Sequence, residues 1–161
     1  MPLELQVIRA SEFVRLGARE HLDFKASKEA LRILAFACWK RGLECALLDL
    51  RELPIPPKPL FTPAELASLV DTFREVGFSR RHRLAVLYRV DIHGGARMFA
   101  FISRMRGWRV QAFDDFERAL LWLSEPTSKQ AERGEQIPIR PAKTALRTKA
   151  ASEVPIRRAQ R

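Results

Sequence analysis

The chain has 161 residues, of which 47% are hydrophobic and 30% charged, and its formal net charge is +10. That length holds one domain and a tail, and no uncharged apolar run of about eighteen residues is present to cross a bilayer. The opening residues, Met1-Pro-Leu-Glu-Leu-Gln6, lack the basic-then-apolar layout of a secretory signal, so a cytoplasmic protein is expected.

Residues 3–8 alternate apolar and polar, as a strand with one solvated face does. Residues 13–24 read as a second strand, turning near Leu16 and Gly17. Ser27 is placed to cap a helix in which Leu31, Leu34, Ala35 and Cys38 share one face and Gly42 supplies the stop. Residues 43–50 are short, apolar and directly after that helix, which suits a central buried strand. Asp49 near its end is either a functional carboxylate or the cap of a neighbouring turn. Cys38 and Cys45 fit neither a CxxC motif nor a zinc site and are expected as small, reduced, buried hydrophobes.

Four prolines between positions 54 and 59 cannot pair in a sheet interior and favour a stiff, extended path. Thr62 follows as an N-cap, with Pro63 at the first helical position and Glu65 completing a capping box. Leu66, Leu69, Val70, Phe73 and Val76 form the buried stripe of one helix that ends at Gly77. Residues 79–83, Ser-Arg-Arg-His-Arg, make a basic turn, read as a solvated loop or an anion site.

From residue 82 to 123 the pattern is strand, helix, strand, helix, which is a βαβ unit with a closing helix. The strands are expected at 83–88 and 108–113, the helices at 96–106 and 115–123, the last capped by Asp114 with Glu117 three residues on. His93, Gly94, Gly95 and Arg97 precede or open the third helix and form a candidate anion-binding group, since free N–H groups at a helix N-terminus attract anions. The run lacks GxGxxG and a P-loop ending, and His93 is either a base or an ordinary loop histidine. Residues 98–102 and Met105 are apolar around most of the helix, which points to core packing. Arg104, Arg106 and Arg109 surround Trp108, and Trp122 lies in the last helix. They form either a base-stacking basic patch or a core edge with surface arginines.

From 126 onward periodicity and aromatic residues vanish. Residues 125–161 hold nine Lys/Arg against four Glu, half of the net charge of +10, and are expected to be a basic disordered tail.

The order β-β-α-β-α-β-α-β-α resembles the STAS/SpoIIAA-like group of bacterial proteins, which shares its architecture with SEC14-type domains. The phrases that carry the resemblance are Ala46-Leu-Leu-Asp-Leu50, Arg83-Leu-Ala-Val-Leu87, Ala96-Arg97, Gly107-Trp108-Arg-Val110 and Phe113-Asp-Asp-Phe-Glu-Arg-Ala119 ending in Trp122-Leu123. The resemblance covers residues 1–124 and implies an α/β domain: a mixed, mainly parallel five-stranded sheet with four helices. Members of the anti-sigma antagonist type carry a phosphorylatable Ser or Thr after the third strand, in an Asp-Ser-Ser/Thr-Gly-like turn. This chain has the proline-rich loop there, with Thr62 nearest by position and Ser68 further along the helix.

No nucleophile motif or paired metal-spaced His and Glu appears, and only three His are present, so no enzyme, metal or cofactor is expected. The leading expectation is a regulatory or protein-interaction module whose contact surface comprises the proline-rich loop, an exposed Phe61 and the helix start at Thr62. The alternatives are a small-molecule or lipid-binding domain of SEC14-like type and nucleic-acid association through the tail.

Overall fold

The computed structural model describes the backbone of residues 3–8 and both backbone and side chains of residues 13–125. The expected tail from 126 onward lies outside the described residues.

The strands are β1 (Leu3–Ile8), β2 (Phe13–Ala18), β3 (Cys45–Asp49), β4 (Arg83–Leu87) and β5 (Arg109–Phe113). They lie in the sheet in chain order, β1 antiparallel to β2. The parallel part therefore has four strands, β2 to β5. The helices are α1 (Phe24–Arg41), α2 (Pro63–Asp71), α3 (Phe73–Val76), α4 (Gly95–Met105) and α5 (Phe116–Ser124).

Strand alternation sorts the core into two layers. Val14, Leu16, Ala46, Leu48, Leu84, Val86 and Val110 face α1, α2 and α4. Phe13, Leu47, Ala85, Leu87 and Phe113 face the other way, against Ala119 and Leu123 of α5. The interior strand β4 is buried along its whole length, as a parallel strand covered on both faces must be. Phe73 joins three elements in the first layer: its ring centroid lies 5.3 Å from Phe78, 5.8 Å from Phe99 and 5.1 Å from Trp108. Truncating such a fully buried ring costs about 3–5 kcal/mol.

Several boundaries differ from the expectation, each for a local reason. The second strand stops at Ala18, and α1 starts at Phe24 because Asp23 is its cap: the Asp23 carboxylate accepts from the Ala26 N–H at 2.7 Å. Ser27, the expected cap, is buried one turn inside the helix and its hydroxyl turns back to the Leu22 carbonyl. At the far end Gly42 takes φ 64°, and its N–H meets the Trp39 carbonyl. The single helix expected over 63–76 is two, so the domain has five helices and not four. The Thr72 hydroxyl and N–H both donate to the Leu69 carbonyl, at 2.7 and 3.2 Å, tightening the turn where α2 ends. In the last helix the cap is Asp115 and not Asp114, its carboxylate accepting from the Arg118 N–H at 2.8 Å. Glu117 then sits one position too early for a capping box.

Cys38 is buried and Cys45 half-buried. Burial pushes the Cys38 thiol up to about 12. Among the described residues no helix is long and apolar enough to cross a membrane.

Candidate functional site

β3 and β4 end side by side, Asp49 in register with Leu87, and the chain leaves both strands into long loops. Loops collect at the carboxyl ends of parallel strands, and ligand crevices form among them. Here the proline-rich segment after β3 and the turn after β4 enclose a pocket of about 330 Å³. Leu48 and Val86 from the sheet and Leu31 from α1 line it. Leu66 and Leu69 of α2 and Phe99 of α4 add further apolar lining, and Pro54, Ile55 and Leu60 contribute from the loop.

Two polar devices shape this end. The His93 ring nitrogen Nε2 and the Pro56 carbonyl oxygen lie 3.0 Å apart, linking the two loops. Asp91 turns its carboxylate onto the first turn of α4, accepting from the Ala96 N–H at 3.2 Å and from the Arg97 N–H at 3.1 Å. The Arg97 side chain closes on the same carboxylate at 3.2 Å. Gly94 adopts φ 69° at the N-cap, a conformation that favours glycine. The group His93, Gly94, Gly95 and Arg97 is thus assembled at the start of α4, but its anion is internal. The Ala96 and Arg97 N–H groups are already engaged by Asp91.

Thr62 caps α2 as expected. Its Oγ1 accepts from the Glu65 N–H at 3.2 Å, and the Glu65 carboxylate accepts from the Thr62 N–H at 2.7 Å and from its hydroxyl at 2.9 Å. These bonds from Thr62 hold the Glu65 carboxyl below its usual value. A negative charge therefore already sits at this helix start, against the hydroxyl a phosphate would have to occupy. Ser68 is exposed, its hydroxyl donating to the Ala64 carbonyl at 3.0 Å. Phe61 is not exposed: it is half-buried, packed on the core and part of the pocket lining.

Asp49 does not reach the pocket lining that Asp91 and His93 share. It is buried, with Arg15 at 2.6 Å and Arg51 at 2.8 Å on Oδ2. Burial raises its carboxyl, but the hydrogen bonds from Arg51 and Arg15 outweigh this and hold it below the ordinary value. Both guanidinium groups also lie over the Phe116 ring, at 5.8 and 5.4 Å. The carboxylate joins β2, β3 and α5.

The opposite end of the sheet carries the arginines and Trp108. Trp108 is 8% exposed, and the Arg80 guanidinium covers its ring at 4.1 Å. Arg80 also donates to the Arg106 carbonyl, while Arg106 bonds the Ala67 carbonyl at 2.7 Å and pairs with Asp71. No open ring face is left there for a base. Arg83, read as part of a basic turn, is buried and caps α5: it donates to the Trp122 and Glu125 carbonyls, each at 2.8 Å.

The helix expected to be apolar for core packing buries only Phe99, Ala100 and Ser103. Met98, Phe101 and Met105 are exposed at helical spacing along its outer side. Met98 also lines the pocket, as do the exposed Ile55, Leu60, Val90 and Ile92. Half of the large hydrophobic side chains exposed among the described residues thus surround one opening. Val90 and Ile92 were not legible as site residues. Their only signal is that two β-branched apolar residues stand in a turn with no strand to bury them.

Among the described residues no group of three or more His, Cys, Asp or Glu is placed to hold a metal.

No protein-family model and no curated protein matches the chain. Among solved structures the chain is similar to the anti-sigma factor antagonist SpoIIAA in its unphosphorylated form, at 14% identity. The match covers 84% of this chain and 100% of that one, with a TM-score of 0.42. This is the group that the sequence resembles.

Proposed function

We propose that the chain is a non-enzymatic interaction module that binds another protein through the loop end of its sheet and the outer side of α4. One observation carries this reading. Exposed apolar side chains gather at one end of the domain: Ile55, Leu60, Val90, Ile92 and Met98 all line the pocket, and Phe101 and Met105 follow Met98 at helical spacing along α4. Monomeric proteins rarely leave large contiguous apolar patches in water, and such patches mark binding surfaces. Phe61 and Thr62 belong to this reading as supports: Phe61 underlies the rim, and Thr62 fixes the helix start that orients the loop. The regulatory character implied by the STAS resemblance is part of the same proposal.

The test is affinity capture with the full chain, followed by rebinding of the purified partner. Ile92→Glu and Phe101→Glu are expected to abolish binding, while Leu121→Glu, on the exposed side of α5 across the sheet, retains it. Loss on Leu121→Glu alone, or no effect of the first two, contradicts the reading.

The alternative of a small-ligand domain is favoured by the pocket, whose contents are a separate question.

A further inference from the structure

The pocket contains more than an apolar cleft. Of the polar side chains around it, three are already engaged within the protein. Ser27 turns to the Leu22 carbonyl, Asp91 caps α4 and pairs with Arg97, and His93 meets the Pro56 carbonyl. Tyr88 and Arg89 also line the pocket, and neither side chain has a hydrogen bond or ion pair with any described residue. Arg89 is an exposed residue of the lining, and Asp91, the carboxylate nearest to it in sequence, is already paired with Arg97. The result is an apolar chamber with one uncommitted cation and one uncommitted phenol in its lining.

We propose that this pocket binds a single-chain apolar monocarboxylate of the medium-chain fatty-acid class, with its tail among Leu31, Leu48, Leu69 and Val86 and its carboxylate on Arg89. Charge complementarity selects the headgroup, because a guanidinium pairs a carboxylate through two parallel N–H donors. The Tyr88 hydroxyl supplies a further donor. Size selects the tail: at about 330 Å³ the pocket lies at the low end of ligand cavities, enough for one chain or ring and too small for a two-chain lipid. Beyond Tyr88 and Arg89 the lining supplies no uncommitted polar side chain, so a tail without polar atoms fits and a sugar or nucleotide does not.

This site stands apart from the protein-partner reading, which depends on Phe101 and Met105 outside the pocket. The probes are sodium decanoate, 1-decanol and sodium acetate, titrated by calorimetry into the full chain. Decanoate is expected to bind one to one, decanol about tenfold more weakly, the difference a charge-assisted hydrogen bond makes, and acetate not at all. Arg89→Gln, a change at an exposed position, is expected to bring decanoate down to the decanol level and leave decanol unchanged. Phe101→Glu is expected to leave decanoate binding intact even where it abolishes partner capture. No binding of decanoate, equal binding of decanoate and decanol, or an unaltered decanoate affinity in Arg89→Gln would overturn the proposal. So would binding to phosphatidylglycerol vesicles by a chain that ignores decanoate.

Discussion

The imidazole of His93 and the carbonyl oxygen of Pro56 lie 3.0 Å apart, so the turn after β4 and the proline-rich segment hold one another across the pocket. Prolines already stiffen that segment, and the bond fixes where the stiff piece sits. His93→Ala is expected to speed thermolysin cleavage between Leu60 and Phe61 several-fold while lowering global stability by no more than about 1 kcal/mol, the net worth of one exposed hydrogen bond. Unchanged cleavage at this bond contradicts the latch.

Asp49 predicts a larger effect. Asp49→Ala removes the carboxylate that Arg15 and Arg51 share, in a site where Asp49 is only 5% exposed. Breaking a buried pair by deleting one partner costs about 3 kcal/mol or more, reduced here because both arginines are partly solvated. A loss of about 2–3 kcal/mol in urea unfolding is expected. Because the native carboxyl titrates below its unfolded value, its contribution is present above the unfolded pKa and lost as pH falls through the lowered native one. A loss under about 0.5 kcal/mol would remove Asp49 from the account of stability.

Thr62 is read as a cap. Thr62→Ala is expected to cost about 1 kcal/mol and Thr62→Ser much less, since the serine hydroxyl can make the same bonds to Glu65. Phosphorylation would set a dianion against the Glu65 carboxylate and is expected to destabilise the first turn of α2, an effect that Glu65→Gln relieves. Thermal unfolding of the three variants and of the phosphorylated chain decides this. Stabilisation by the phosphate contradicts it.

His82 gives the pH dependence near neutrality. Burial lowers its pKa, and the Ser79 N–H donates to its Nδ1 at 3.0 Å, which keeps that nitrogen unprotonated. Below the unfolded value of about 6.5 the unfolded chain takes up a proton that the folded chain refuses, so stability falls as pH drops from 7 towards 5. His82→Gln is expected to flatten that part of the Tm profile. Parallel profiles for the two proteins would exclude the role.

The sequence shows the fold more clearly than the surface. Periodicity placed all five strands and the stripe from Leu66 to Val76, because burial imposes regular spacing on apolar residues. Caps were ambiguous wherever two acceptors stood close together: Asp23 competes with Ser27, and Asp115 with Asp114, and only the backbone path decides between them. The break at Thr72 was hidden because the buried stripe runs through it unaltered. The apolar girth of α4 looked like a core helix, yet Phe101 and Met105 are exposed. A one-dimensional pattern reports that a residue is apolar and not whether another element covers it. Likewise the start of α4 has the composition of an anion site, while the carboxylate that fills it comes from Asp91 in the same loop.

The central claim is that the working surface is the loop end of the sheet together with the outer side of α4. Photo-crosslinking from the full chain in its own cells tests it most directly, with a benzophenone amino acid placed at position 60, 92, 101 or 121. The account predicts the same protein adduct from 60, 92 and 101 and none from 121. An adduct from 121 alone, or equal yield from all four positions, would contradict it.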